Sequence, residues 1–152
     1  MSDDGHCNVD FEDYSDDADP VEFHQTRFVL AKKAHTCSEC RGVIAKGEQH
    51  RVTAYKFEGT FGMDRLCACC LEAADEFRYF IMGGDLWAMF REEWDRGAHL
   101  QSCLNRLTTA RAKEHMRQQW VKWNERRLQD SQRLRDRRKA LDAVRSREEN
   151  PS

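Results

Sequence analysis

The chain has 152 residues, of which 39% are hydrophobic and 34% are charged, a composition that predicts one small core with polar appendages. It contains no apolar run of roughly 18 residues, which excludes a membrane-spanning helix, and its acidic start lacks the basic and apolar segments of a secretion signal. We therefore expect a cytoplasmic protein that has no membrane partner.

The net charge of −2 conceals two segments of opposite charge. Residues 1–24 carry nine acids and no Lys or Arg, whereas residues 106–152 carry fourteen bases and seven acids. Repulsion among the carboxylates and a shortage of apolar anchors predict that residues 1–24 form a disordered acidic arm. This arm is either a solubilising tail or a segment that competes for a basic surface by imitating nucleic-acid charge.

Two Cys-x-x-Cys pairs are separated by 26 residues in the first half of the chain. Four thiolates with this spacing are typical of a closed tetrahedral zinc site, and we predict that Zn²⁺ is bound by Cys37, Cys40, Cys67 and Cys70. Cys69 in place of Cys70 is the alternative. The side chains of Cys67 and Cys69 would then both have to point toward the metal across a one-residue gap, which is less common. Seven cysteines, an odd number, with this pairing favour reduced, metal-bound thiols over a disulfide scaffold.

The residues around the two pairs show β-strand patterns. A β-prone run covers residues 27–33, and residues 51–57 combine β-branched and aromatic side chains in rough alternation. Residues 58–60 predict a hairpin turn, after which residues 61–66 return toward Cys67.

The second pair is predicted to open a helix from Cys70 to about Met82, whose first turn supplies the last ligands. Gly42, just past Cys40, suits a tight knuckle with backbone amides directed at sulfur, because glycine accepts a positive φ. A knuckle, a hairpin and a ligand-bearing helix in this order predict an α+β fold, with a treble-clef zinc module over residues 27–82.

An aromatic helix is predicted within residues 85–105. Gly83-Gly84 ends the preceding helix, and Asp85 is a suitable N-cap for the segment from Leu86 to Arg96. Three aromatic side chains fall on one face of this segment, namely Trp87, Phe90 and Trp94. We expect this face to pack on the zinc module, and an exposed groove for a partner is the alternative.

Residues 106–149 are predicted to form a long basic helix. No Pro or Gly occurs from His99 to Glu149, and a break is predicted near residues 107–109. Opposite charges three residues apart support a solvated helix at Glu114/Arg117, Asp130/Arg133, Asp136/Lys139 and Asp142/Arg145. A seven-residue repeat occurs in this helix, but too many of its positions are polar for a sustained coiled coil. A homodimer through this helix is kept as a hypothesis.

The basic helix combines cations that can neutralise phosphates with two tryptophans that can stack on unpaired bases. The candidate nucleic-acid-binding residues are Arg117, Trp120, Lys122, Trp123, Arg126, Arg127, Arg133, Arg135, Arg137 and Arg138. The alternative is a solvated helical face whose tryptophans dock onto the core or onto a second copy.

No catalytic arrangement stands out in the sequence. A catalytic zinc needs an open coordination position, and four cysteines leave none. Cys69, with a pKa lowered by a helix N-terminus, and Cys103 are candidate nucleophiles, but neither has a matched histidine and carboxylate. We therefore expect a protein that is not an enzyme.

Three motifs, Cys37-Ser38-Glu39-Cys40, Gly47-Glu48 and Cys67-Ala68-Cys69-Cys70, carry a family resemblance. In residues 30–96 the chain resembles small four-cysteine zinc-finger proteins of tailed bacteriophages and prophages. The resemblance implies the zinc ligands and an accessory role for a phage in the host cytoplasm. It departs from that group at His50, where an aromatic residue is usual.

Three functions follow as hypotheses. The first is nucleic-acid binding through the basic helix. The second is a protein-directed phage factor that inhibits or redirects a host or defence enzyme through the acidic arm or the aromatic helix. The third is self-assembly through the long helix.

Overall fold

The protein has an α+β fold in a computed structural model that describes residues 7–12, 23–79 and 85–150. Its strands are β1 (Phe23–Leu30), β2 (His35–Thr36), β3 (Val43–Ile44), β4 (Gln49–Phe57) and β5 (Thr60–Leu66). Its helices are α1 (Ala68–Glu76), α2 (Leu86–Asp95), α3 (Leu100–Arg106) and α4 (Ala110–Glu149). The predicted fold class, with small strands followed by helices and a long C-terminal helix, is confirmed. Among the described helices, none is long and apolar enough to cross a membrane.

The main sheet is antiparallel, with strand order β1-β4-β5, and a separate pair joins β2 to β3. Strands β4 and β5 form the predicted hairpin, whose two turn residues, Glu58 and Gly59, have φ values of 48° and 77°. Positive φ at both positions is the geometry that matches the twist of a tight hairpin. The first strand begins at Phe23 and ends at Leu30, earlier than the run predicted over residues 27–33.

Helix α1 ends at Glu76, six residues before the predicted end at Met82. The backbone turns at Arg78, which has a φ of 57°, and the Tyr79 amide donates to the Ala74 carbonyl at 2.8 Å. A left-handed residue followed by such a bond ends a helix because it satisfies the last free carbonyl groups. The predicted stop at Gly83-Gly84 lies outside the described residues.

A break between α3 and α4 occurs at residues 107–109, as predicted. Thr109 caps α4, since its hydroxyl accepts the Ala112 amide at 3.1 Å. The Glu72 carboxylate of α1 accepts both the Thr109 amide at 3.1 Å and the Thr109 hydroxyl at 3.0 Å. The long helix therefore starts at a side-chain cap that is held by another helix.

The aromatic face of α2 is buried in the core, since Trp87, Phe90 and Trp94 are each at most 4% exposed. Phe90 meets Phe77 edge to face, with ring centroids 4.8 Å apart, and stacks on Trp87 at 5.3 Å. Burial of three large aromatic rings is a major contribution to a core of this size. The alternative of an exposed groove along this face is therefore wrong.

Residues 7–12 pack against the helices, which corrects the prediction of disorder for this part of the acidic arm. Val9 and Phe11 are buried, and the Phe11 amide donates to the Phe77 carbonyl at 2.9 Å. The Arg106 guanidinium of α3 donates to the Val9 carbonyl at 2.7 Å. Burial of these two apolar side chains thus offsets the conformational entropy lost when this segment becomes ordered. The rest of residues 1–24, apart from His24 and the backbone of Phe23, lies outside the described residues.

A disulfide joins Cys7 to Cys103 in α3 and spans 96 positions of sequence. The expectation of reduced thiols is therefore wrong for this pair, whereas the other five cysteines are free. The spacing gave no signal for this bond, because Cys7 and Cys103 meet only when residues 7–12 pack on α3.

The chain divides into two compact units, residues 1–117 and residues 118–152. The division falls inside α4 and not at residue 106. The first unit holds the sheets, the first three helices and the start of α4, which contributes buried Ala112 and Met116. The second unit consists of the rest of α4 in its described part, with mostly exposed side chains.

Phe11→Ala tests whether residues 7–12 belong to the core. We expect the metal-loaded variant to lose about 3–5 kcal/mol in free energy of unfolding, because a fully buried ring leaves a cavity. The measurement is urea unfolding followed by circular dichroism. Phe28→Ala is the matched control, since Phe28 is 59% exposed and its loss is expected to cost under about 1 kcal/mol. Equal, small effects for the two variants would show that residues 7–12 do not pack.

Candidate metal centre

Two loops bring the Cys-x-x-Cys pairs together. Cys37 and Cys40 lie in the turn that joins β2 to β3, while Cys67 is the N-cap of α1 and Cys70 lies in its first turn. The Ser38 amide donates to the Arg65 carbonyl at 2.7 Å, which ties the first turn to the end of β5. The hairpin thereby delivers the second pair next to the first.

The four sulfurs of Cys37, Cys40, Cys67 and Cys70 lie within 4.8 Å of one another, which positions them to bind a metal ion. The Cys40 and Cys67 sulfurs are 3.9 Å apart. Metal–sulfur bonds of about 2.3 Å in a tetrahedron place sulfurs roughly 3.8 Å apart, so this cluster is close to the required size. Three of the four side chains are buried, and Cys40 is partly exposed.

Backbone amides point at three of the sulfurs. Gly42 donates to Cys40 at 3.3 Å, Cys67 donates to Cys37 at 3.4 Å, and Cys70 donates to Cys67 at 3.5 Å. Such bonds stabilise negative charge on sulfur and fix its direction. The chain therefore prepares thiolates for a cation.

Gly42 is needed for space and not for a positive φ, which corrects the reason given from the sequence. The positive φ in this turn belongs to Arg41, at 63°. A Cβ atom on Gly42 would lie 3.1 Å from the Cys40 sulfur, tighter than ordinary van der Waals contact. Glycine thus allows the residue-42 amide to approach sulfur.

Two side chains from distant helices also meet the cluster. The Trp87 indole of α2 donates to the Cys70 sulfur at 3.3 Å, and the His115 Nε2 atom of α4 lies 3.7 Å from the same sulfur. The Trp87 and His115 rings contact each other at 5.4 Å. Sequence reasoning missed His115, because it lies 45 positions from Cys70 and shares no spacing motif with the cysteines.

Glu39, inside the first Cys-x-x-Cys pair, fixes the start of α2. Its side chain is 7% exposed, and Oε2 accepts the Leu86 amide at 2.9 Å. Asp85 occupies the N-cap position but makes no side-chain cap bond, so its predicted capping role is wrong. A carboxylate at a helix N-terminus is stabilising, and here it links the metal loop to the aromatic helix.

The four thiols cannot all ionise on their own. A hydrogen bond from Cys40 lowers the pKa of Cys37, because it stabilises that thiolate. Hydrogen bonds to Cys37 then raise the pKa of Cys40 and of Cys70, so these two thiols stay protonated. A bound cation is what allows the remaining protons to leave.

Cys69 is buried but is not a member of the cluster. Burial raises the pKa of the Cys69 thiol, which corrects the expectation that the helix N-terminus lowers it. A thiol kept protonated in an apolar environment is a poor nucleophile. Cys103, the other candidate nucleophile, is in the disulfide.

His35 and His50 lie near the cluster but do not belong to it. Their rings are 5.6 Å apart, and His50 Nε2 accepts a hydrogen bond from Arg65 Nη1 at 3.0 Å. Burial and the neighbouring Arg65 charge lower the pKa of His35, so this imidazole is neutral at pH 7.

The candidate nucleic-acid-binding residues all lie on α4, and the described structure gives some of them partners. Arg117, the last residue of the first unit, pairs with Glu114 at 3.2 Å. In the second unit, Arg133 pairs with Asp130 at 3.7 Å. No ion pair forms among described residues at the other two predicted sites, Asp136/Lys139 and Asp142/Arg145.

The tryptophans of the second unit form a small cluster on α4. The Trp120 and Trp123 rings are 6.0 Å apart, and the Arg127 guanidinium lies 5.0 Å above the Trp123 ring. Neither ring is buried. The remaining candidates are exposed or nearly so along the same helix, namely Lys122, Arg126, Arg135, Arg137 and Arg138.

We compared the chain with protein-family models, curated proteins and solved structures and found no match. The resemblance to zinc-finger proteins of phages therefore stays a prediction from the motifs. The function has to be inferred from the geometry of the two units.

Cys70→Ser and Cys69→Ser separate the two possible ligand sets. We expect Cys70→Ser to weaken Zn²⁺ binding by more than about 100-fold, beyond the effect of losing an outer-shell partner. Cys69→Ser should keep one tightly bound ion, because the Cys69 sulfur is not among the four clustered sulfurs. Competition with a chromophoric chelator measures both affinities. Loss of the metal in Cys69→Ser with retention in Cys70→Ser would contradict the assignment.

Proposed function

We propose that the chain is a zinc-stabilised protein without enzymatic activity that binds nucleic acid through the exposed part of α4. The observation that carries this proposal is a row of four cations on one face of that helix, Lys122, Arg126, Arg133 and Arg137. We call these four residues the basic row. The metal centre, in this proposal, stabilises the first unit and takes no part in chemistry.

Zinc is the metal that suits the cluster best. Four thiolates in a compact, buried set are soft ligands, and Zn²⁺ takes four cysteines in closed structural sites. The order of a cysteine turn, a hairpin and a ligand-bearing helix supports the name treble clef for residues 27–82. A filled coordination sphere also supports a structural role, since no position is left for substrate or water.

The basic row follows from helix geometry. Its members are spaced by 4, 7 and 4 residues, which keeps them within about 60° of arc on a helix of 3.6 residues per turn. The row is about 22 Å long at 1.5 Å per residue, a length that spans several phosphates. Asp130 lies at its edge and pairs with Arg133.

The tryptophan cluster adjoins this row and supports recognition of unpaired bases. Trp123 lies about 40° around the helix from Arg137. Arg127 already occupies one face of the Trp123 ring, so stacking would use the other face or the Trp120 ring. Stacking on aromatic rings tolerates any base, which supports binding without sequence preference.

An accessory role for a phage in the host cytoplasm is part of the proposal and rests on the motif resemblance alone. The Cys7–Cys103 disulfide counts against a reducing compartment, where such bonds are rare. The protein-directed and self-assembling alternatives stay predictions, because no contact among the described residues favours either.

Neutralising the basic row tests the proposal. We expect the variant with Lys122, Arg126, Arg133 and Arg137 all changed to Gln to bind single-stranded DNA more weakly. The slope of log affinity against log salt concentration should fall by up to about 2.8, or roughly 0.7 for each phosphate that the variant no longer neutralises. Fluorescence anisotropy at several salt concentrations, on protein with verified zinc content, measures this.

The matched control changes Arg135, Arg138, Lys139 and Arg145 to Gln. It removes the same charge from the same helix but leaves the basic row intact. Arg135 and Arg138 are candidates from the sequence, but helix geometry places them on the side of α4 opposite the basic row. We expect a clearly smaller change in slope, because those four side chains point in other directions. Equal slopes for the two variants would show that binding depends on the total charge of the helix and not on the basic row. Absence of binding by the folded wild type would overturn the proposal.

A further inference from the structure

A pocket of about 490 Å³ lies on the first unit, at one end of the main sheet. Its charged and polar lining consists of Arg27, Lys32, Lys33, His35, His50 and Arg65, and the rest of its lining is apolar, namely Val29, Leu30 and Ala31. No acid is among the described residues that line it. A pocket of this size is in the range of small-molecule sites, and all the formal charges of its described lining are positive.

The sheet register places two arginines on either side of one residue. Arg27 of β1 and Arg65 of β5 both lie opposite Val52 of β4, so the three side chains share a face of the sheet. Two strand spacings separate the two arginine backbones by about 10 Å. Backbones at this separation allow two arginine side chains to contact one anion of a few ångströms.

Arg65 forms no ion pair among the residues that the structure describes. Its guanidinium donates to His50 Nε2 at 3.0 Å and to the Met63 sulfur at 3.5 Å, and both acceptors are neutral when they accept. His50 is 1% exposed and accepts through Nε2, so it orients Arg65 without compensating the charge. The Arg65 backbone is fixed by Ser38, whose hydroxyl accepts the Arg65 amide at 3.0 Å.

The other cations of the pocket have no acidic partner among the described residues. Arg27, Lys32 and Lys33 are exposed and form none of the described ion pairs, whereas several other arginines of this unit do. Four formal positive charges in the lining of one pocket create a local positive potential that attracts a multiply charged anion. Arginine pairs bind the oxygens of phosphate in two-pronged fashion, and lysines add flexible charge.

We propose that this pocket binds a phosphate group carried on a small organic body. The volume exceeds that of inorganic phosphate, and the apolar lining residues suit a ring or chain attached to the phosphate. A free nucleotide and the terminal phosphate of a nucleic acid share this chemistry. The pocket belongs to the first unit, so the proposal is independent of nucleic-acid binding by the basic row.

Isothermal titration calorimetry of the full, zinc-loaded chain with adenosine monophosphate tests the pocket. The variant Arg27→Gln/Lys33→Gln is informative because both side chains are exposed and their loss leaves the core intact. We expect its affinity to fall at least tenfold, while the control Arg91→Gln/Arg145→Gln, which lies outside the pocket, stays within twofold of the wild type.

Unphosphorylated adenosine should not bind, and inorganic phosphate should bind more weakly than the nucleotide. A 5′-phosphorylated oligonucleotide, titrated into the chain with the basic row neutralised, distinguishes a nucleic-acid end from a free nucleotide. Absence of saturable nucleotide binding, equal binding of adenosine, or equal affinity in the pocket variant would overturn the proposal. None of these outcomes depends on whether the basic row binds DNA.

Discussion

Four sulfur atoms within 4.8 Å of one another are the constraint on which the first unit depends. Hydrogen bonds to Cys37 raise the pKa of Cys40 and of Cys70, and a bound cation would allow these thiols to lose their protons. The same cluster connects distant elements, because Trp87 of α2 and His115 of α4 both contact Cys70, while Glu39 holds the start of α2. A metal bound at this point would connect the sheets with three helices, in a chain whose apolar content is small for its length.

The features that depend on residues close together in the sequence could be predicted from local sequence patterns. The hairpin of β4 and β5 and the break before α4 follow from turn and capping chemistry, which operates over a few residues. The two Cys-x-x-Cys pairs, which the structure brings together, have spacings that already suit one metal. These features could be predicted because the responsible atoms lie close in sequence.

The remaining features depend on contacts that only the folded chain creates. The burial of Phe11, the Cys7–Cys103 disulfide and the approach of His115 to Cys70 join residues that are 45 or more positions apart. The end of α1 at Glu76 follows from the positive φ of Arg78. Arginine rarely adopts this left-handed conformation, so the sequence does not predict it. The pocket that includes Arg27 and Arg65 could not be predicted from the sequence either, because it depends on the register of three strands.

Metal-coupled folding of the first unit is tested most directly by hydrogen–deuterium exchange measured by mass spectrometry. The protein would be compared with one Zn²⁺ bound and after removal of the metal by a chelator. We expect backbone protection in residues 35–79 and in α2 to be lost without zinc, because both segments are fastened to the sulfurs. Unchanged protection in both segments after complete removal of the metal would contradict this coupling.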